Sequence, residues 1–364
     1  MQLGEFEERL SYLVDLGRLV GRIRVDHAPR GLGKTSLLRQ YQRRARERGA
    51  QTIWVTAGEE GVGLIAQIAA EIERESATWR SGTRTALSRH LESLTLRAGI
   101  PQIVGVEAKL KPDKAATAGG YRELEAVLRL AASSDDHTGL VILIDEIQAA
   151  DPAGLLTLAY AWQHLQSEGT DVPAAVFTAG LPNAPEKISS AVTFSERFAY
   201  RPLLLLGREA EEVAISAPAR HLGVVWEDDA LAAAFELAAG YPYAVQLIAD
   251  ATWTAAGHPD PGGRITLDHV TVGRHAMKAD LDALFRAPWG NATAGERELM
   301  TAMASLGDEP VQRAEVARVL GVSSESLSMP RARLIDKGLI QSGSRGKIEF
   351  TIPGFAAFIR DLDG

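Results

Sequence analysis

The sequence predicts an α/β fold: a parallel sheet with helices on both faces, then an α-helical lid and a winged helix-turn-helix domain. Three observations carry this. Short apolar runs alternate with helical periodicities over the first 200 or so residues, as in βα units. A glycine-rich turn joins the first strand to the first helix. Residues 293–364 then change texture to short helices closed by a glycine-turned hairpin. The expected domains are 1–206, 207–288 and 289–364, within the range that 364 residues allow.

Taken in order, Arg22–His27 is the first strand, unusually polar for one covered on both faces. Lys34 to Glu47 is helical, with Arg39, Arg43, Arg44, Arg46 and Arg48 as a solvated face whose cations suit a helix C-terminus. Thr52–Val55 reads as a strand, Leu64–Glu73 and Thr85–Arg97 as helices, and Ile103–Leu110 as a short strand or hairpin arm. Lys111–Gly120 reads as a loop and Tyr121–Ala132 as an amphipathic helix. Asp151-Pro152 starts another helix, with Asp as cap and Pro at the first helical position. Pro173–Gly180 and Arg201–Leu206 are the remaining strands. From Gly207 to about Arg286 everything reads as helix, with breaks at Gly223, Gly240 and His258–Gly263. Beyond Ala287–Gly290 come helices at Thr293–Leu306, Arg313–Leu320 and Ser323–Lys337, then wing strands around Gly343–Gly346. Pro330 either kinks the third helix or marks its first turn.

The chemistry lies in two segments. Pro29-Arg30-Gly31-Leu32-Gly33-Lys34-Thr35-Ser36 fits a phosphate-binding loop: backbone N–H groups curl around the anion, Lys34 reaches the β and γ oxygens, and Thr35 ligates Mg²⁺. The usual opening glycine is replaced by Ala28, tolerable if that residue keeps a negative φ. Leu140-Val-Ile-Leu-Ile-Asp-Glu146 is a buried strand that brings Asp145 to the metal and Glu146 beside it as a base for water. The pair in this order implies ATP or GTP hydrolysis with Mg²⁺.

Three further positions are candidates. Thr178, at the tip of a strand, would sense the γ-phosphate, or is a threonine chosen for β propensity. Arg197, just before a strand, would act as an arginine finger on a neighbouring subunit's nucleotide, or is a salt-bridged surface residue. Pro242, in the Gly240-Tyr-Pro turn, would help aim Tyr241 or Tyr243 at a base, or simply turns one helix into the next. In the last domain Ser324, Arg331, Arg333, Arg345 and Lys347 are the candidate contacts to duplex DNA. Residues 293–364 hold nine Lys/Arg against ten Asp/Glu, so packing or protein contact is the alternative use.

With these parts assembled the chain resembles the AAA+ ATPases of the Orc1/Cdc6-like and related prokaryotic families, close to the STAND ATPases, which carry a winged helix after the lid. The resemblance spans roughly residues 18–360. It rests on Pro29–Thr35, Leu140–Glu146, Thr178–Pro182, Ser195–Phe198 and Gly240–Pro242, of which the first two are specific. It implies Asp145 at Mg²⁺, Glu146 polarising water, a sensor at Thr178, a finger at Arg197 and action as a homo-oligomer. It also implies a lid arginine, which the region around Gly240–Gln246 does not offer, and that departure favours a nucleotide switch over a lid-driven motor. The rival expectation is an adaptor in which ATP is structural and the winged helix binds a protein partner. A transposition-helper or defence-system ATPase is a third.

Composition narrows the setting. The formal charge of −8 argues against coating nucleic acid nonspecifically, so any DNA contact should be local. No cysteine is present, which excludes disulfides and thiolate zinc sites and suits a reducing cytoplasm. The N-terminus lacks a signal-peptide pattern and no apolar run suggests a membrane partner, so a cytoplasmic protein is expected.

Overall fold

The computed structural model describes residues 2–58, 61–97, 114–168, 171–343 and 346–362. Two compact units emerge: Met1–His27 with Lys34–Pro202, and Ala28–Gly33 with Leu203–Gly364.

The first unit is built on five parallel strands: β1 (Ile23–His27), β2 (Gln51–Thr56), β3 (Leu140–Asp145), β4 (Ala174–Gly180) and β5 (Phe198–Pro202), in the spatial order β2-β3-β4-β1-β5. Side chains of a strand alternate between faces, and β3 and β4 are buried throughout because both faces are covered. Leu140, Ile142, Ile144, Ala174 and Val176 enter one core with α3 (Leu64–Ser76), α4 (Ser81–Arg97), α5 (Lys114–Ala132) and α6 (Pro152–Glu168). Val141, Leu143, Ala175 and Phe177 enter another with α1 (Gln2–Leu16) and α2 (Lys34–Glu47). There Phe6 stacks on Tyr41 at 4.2 Å between ring centroids, and Phe177 meets Phe6 edge-on at 4.9 Å.

Asp151 caps α6 as expected: its carboxylate accepts from the Gly154 N–H, three residues on, at 2.7 Å. The same carboxylate accepts from the Leu64 N–H at 2.7 Å and so caps α3 as well. The polar character of β1 has a structural reason. Arg24, wholly buried, pairs with Asp26 at 2.9 Å and Glu5 at 3.1 Å, and Tyr41 donates to Asp26 at 3.1 Å. The α2 arginines follow the solvated-face reading: Arg48 pairs with Asp15, Arg44 with Glu7, Arg46 donates to Thr52 and Arg39 lies over the Trp54 ring.

Several boundaries differ from expectation. Lys114–Gly120 is helix, because α5 begins at Lys114 rather than Tyr121. The last strand is Phe198–Pro202, five residues paired with β1, not Arg201–Leu206; Leu204 and Leu205 are exposed. The strand or hairpin arm expected at Ile103–Leu110 lies outside the described residues.

The second unit contains α7's successors in the chain: after α7 (Ala184–Ala191), which closes the first unit's helices, come α8 (Arg208–His221), α9 (Asp228–Ala238), α10 (Pro242–Ala255) and α11 (Leu267–Gly290). This stretch is not wholly helical, since β6 (Val225–Trp226) pairs in parallel with β7 (Arg264–Ile265). The break expected at Ala287–Gly290 is the last turn of α11, which carries Pro288 inside it. The C-terminal part runs α12 (Ala294–Ser305), α13 (Arg313–Leu320), Gly321 at φ 67°, α14 (Ser328–Asp336), then β9 (Ile340–Ser342) and β10 (Lys347–Phe350). β8 (Val311–Gln312) adds to the other edge of β10, giving an antiparallel sheet β8-β10-β9. Ser324–Leu327 is a 3₁₀ turn, so the third helix starts at Ser328 and Pro330 lies in its first turn, where its missing N–H costs nothing. A further helix, α15 (Phe355–Leu362), buries Phe355 and Ile359. Among the described residues no helix is long and apolar enough to cross a membrane.

Candidate active site

β1 and β3 are separated only by β4, so their carboxyl ends lie at one edge of the sheet, the edge at which open α/β sheets bind ligands. α2 begins there with Lys34 and Thr35. The Thr35 hydroxyl donates to Asp145 Oδ2 at 2.6 Å, closing a contact across 110 residues of chain, while Asp145 Oδ1 accepts the Glu146 N–H at 3.0 Å. Asp145 is buried and Thr35 is exposed. A hydroxyl and a carboxylate oxygen at this spacing are hard oxygen donors of the kind Mg²⁺ takes, so these residues fit the metal the motifs imply.

Glu146 departs from the strand into the left-handed region, φ 53° and ψ 40°, a conformation that costs a residue with a Cβ about 1–3 kcal/mol. The turn re-aims its carboxylate, which accepts from Gln148 Nε2. Gln148 Oε1 in turn accepts the Leu181 N–H at 2.9 Å, just past the tip of β4. Gln148 thus links the acidic pair to the neighbouring strand end, and no spacing or motif in the sequence singles it out.

In the loop, Gly31 and Gly33 both take φ 78°, where only glycine is unstrained. Ala28 is absent from the residues with positive φ, which answers the question raised by the missing first glycine. Lys34 is buried and Ser36 exposed. Residues Ala28–Gly33 group with the second unit, where the Tyr241 hydroxyl donates to the Arg30 carbonyl at 3.1 Å and the Tyr243 N–H to the Gly31 carbonyl at 3.1 Å. Pro242 takes the first position of α10 and lines a groove with Leu206, Gln246 and Trp253.

Two other positions fall elsewhere. Thr178 is fully buried, and its hydroxyl donates to the Arg24 carbonyl at 3.0 Å. The hydroxyl thus ties β4 to β1, the use open to a threonine placed there for the strand. Arg197 is exposed, with a 3.5 Å contact to Gln166. It stands at the amino end of β5, and Phe198 pairs with Ile23, four residues and about 13 Å short of the carboxyl end of β1. Arg197 therefore lies at the opposite edge of the sheet from Thr35 and Asp145 in its own chain.

Of the candidate DNA contacts, Arg333 is exposed and Ser324 and Lys347 are partly so. Arg331 is half-buried and donates to Ser342 Oγ at 2.6 Å. Arg345 lies outside the described residues.

Residues 27–176 match the AAA ATPase domain family, and residues 282–359 match a family described as a domain of unknown function, DUF8462. A search of the curated proteins found no match. Among solved structures, the Walker-type ATPase PABY2304 of Pyrococcus abyssi aligns at 13% identity over 98% of this chain and 95% of its own, with a TM-score of 0.61. Cdc6p from Pyrobaculum aerophilum aligns at 14% identity over 99% and 93%, with a TM-score of 0.48. The Thermotoga maritima RuvB Holliday junction branch migration motor aligns at 15% over 98% and 94%, with a TM-score of 0.44. A phosphate loop between β1 and α2, an acidic pair ending β3 and a parallel sheet ordered β2-β3-β4-β1-β5 give residues 27–176 the build of the AAA ATPase domain family that they match.

Proposed function

We propose that the chain binds ATP with Mg²⁺ and hydrolyses it slowly or under a partner's control, as a switch that couples nucleotide state to DNA or partner binding. The 2.6 Å contact between the Thr35 hydroxyl and Asp145 carries this reading. When bound, Mg²⁺ would offset the charge of the phosphates. Thr35 and Asp145 would hold it, Lys34 would bind the β and γ oxygens, and the backbone of residues 29–33 with Ser36 would cradle the phosphates. Glu146, held by Gln148, would orient water and accept its proton. Arg197 would serve only a neighbouring subunit, consistent with its place at the far edge of its own sheet. Residues 1–206 would form the ATPase core, 207–288 the lid with Pro242 at the nucleotide, and 289–364 a winged helix.

The test is Glu146→Gln. Turnover should fall at least about 100-fold while Mg·ATP affinity stays near the parent's. Unchanged turnover would remove Glu146 as the base and favour the adaptor reading. The parent's rate per subunit, followed against protein concentration, should rise if Arg197 acts in trans; a flat rate would take it out of the reaction.

One observation favours the second reading, a winged helix that contacts protein. Val319, Val322 and Met329 are 50%, 45% and 66% exposed around α13 and α14, while Arg331 is tied to Ser342. A DNA reader should bind duplex with an affinity that drops steeply with salt and weakens in Arg333→Ala. No duplex binding at low salt would leave the protein-contact reading standing.

A further inference from the structure

We infer that Tyr241 is a positioning residue for the phosphate loop: its hydroxyl sets the direction in which the Gly31 amide faces, beside the Leu32 amide that the Tyr243 N–H turns the same way. The inference rests on the nucleotide reading of that loop.

A trans peptide is planar, with its C=O and the next residue's N–H on opposite sides. The Tyr241 hydroxyl donates to the Arg30 carbonyl at 3.1 Å, so the Gly31 N–H of the same plane must face away from Tyr241. The Tyr243 N–H donates to the Gly31 carbonyl at 3.1 Å, which turns the Leu32 N–H away in the same manner. Two successive peptide planes are thereby pinned through their carbonyls, and two successive N–H groups are left on the other side. Successive amides presented together are what an anion-binding nest requires.

The fit around Gly31 is specific to this arrangement. Gly31 has φ 78°, and a Cβ there would stand 2.0 Å from the Tyr241 hydroxyl oxygen and 2.5 Å from its ring carbon Cζ. Gly31 is thus needed twice, for its backbone angle and for the space the tyrosine fills. Tyr241 is 1% exposed, and its burial pushes the phenol up to about 12, so the hydroxyl keeps its proton and remains a donor at any ordinary pH. Leu32 packs on the same apolar core as Tyr241, which leaves the loop little freedom to rotate these planes independently.

The experiment compares Tyr241→Phe with the parent for binding of fluorescent ADP, ATP and AMP analogues with Mg²⁺, alongside thermal melting. Loss of one hydrogen bond that orders the loop should weaken ADP and ATP about three- to tenfold. AMP, which has no β-phosphate for the loop to hold, should bind the variant as it binds the parent, and the melting temperature should stay close. A second variant guards against a fold defect: Gly31→Ala should damage ADP binding more in the parent than in a Tyr241→Ala background, where the clash is gone. Equal ADP affinity in Tyr241→Phe and parent would overturn the inference, as would an equal loss for AMP and ADP. If the parent itself binds no nucleotide, the reading of the loop fails instead, a distinguishable result.

Discussion

Asp26 on β1 and Asp145 on β3 are both buried carboxylates of one sheet, but their surroundings differ in kind. Asp26 lies against the Arg24 guanidinium at 2.9 Å and the Tyr41 hydroxyl at 3.1 Å, with Glu5 behind Arg24. Burial pushes the Asp26 carboxyl above the usual range despite that arginine. Asp145 has dipoles for partners, the Thr35 hydroxyl and the Glu146 N–H. A carboxylate answered by an internal cation is complete and structural. Oxygens met by the dipoles of a hydroxyl and an amide keep the capacity to take a cation from outside, which is what the proposed Mg²⁺ site asks of Asp145.

Substitutions at the two aspartate sites should therefore have opposite consequences. Arg24→Met leaves Asp26 and Glu5 without their shared cation and should destabilise the protein by about 3–5 kcal/mol, read by denaturant melting. Asp145→Asn should leave stability within about 1 kcal/mol of the parent, while abolishing the Mg²⁺ dependence of ATP binding. If instead Asp145→Asn unfolds the protein and Arg24→Met does not, the distinction between the two carboxylates fails.

The smallest effect is expected at the rim of the Arg24 network. Hydrogen bonding from Arg201, at 2.9 Å, holds the Glu5 carboxyl below its ordinary value. A depressed carboxyl contributes stability above its unfolded pKa and loses it as pH falls through the folded one. Glu5→Gln should thus cost less than about 1 kcal/mol near neutral pH, because the pair is partly exposed, and nothing in strong acid. A cost that persists at low pH would assign it to packing.

What could be read in the sequence was what rests on local pattern. The Gly31–Thr35 turn, the acidic end of β3 and the Asp151-Pro152 helix start each depend on residue types at fixed short spacing. Features that depend on distant partners were not readable. Gln148 gains its link only when β4 brings the Leu181 N–H beside it, and the Thr178 hydroxyl finds its partner, the Arg24 carbonyl, only across the sheet. The polarity of β1 looked like a flaw in a buried strand until Tyr41 and Glu5 supplied the other half of an ion-pair network from two different helices. The β5 boundary moved because Phe198–Pro202 is the stretch that lies along β1, and the apolar run at 203–206 falls beyond the end of that strand.

The backbone of Glu146 has a consequence of its own. At φ 53° a glycine would sit more comfortably, so Glu146 holds this turn at a backbone cost. Replacing it by glycine should relax the turn and steady the empty protein even as the reaction is lost, which would mark this corner as a place where durability has been given up for chemistry.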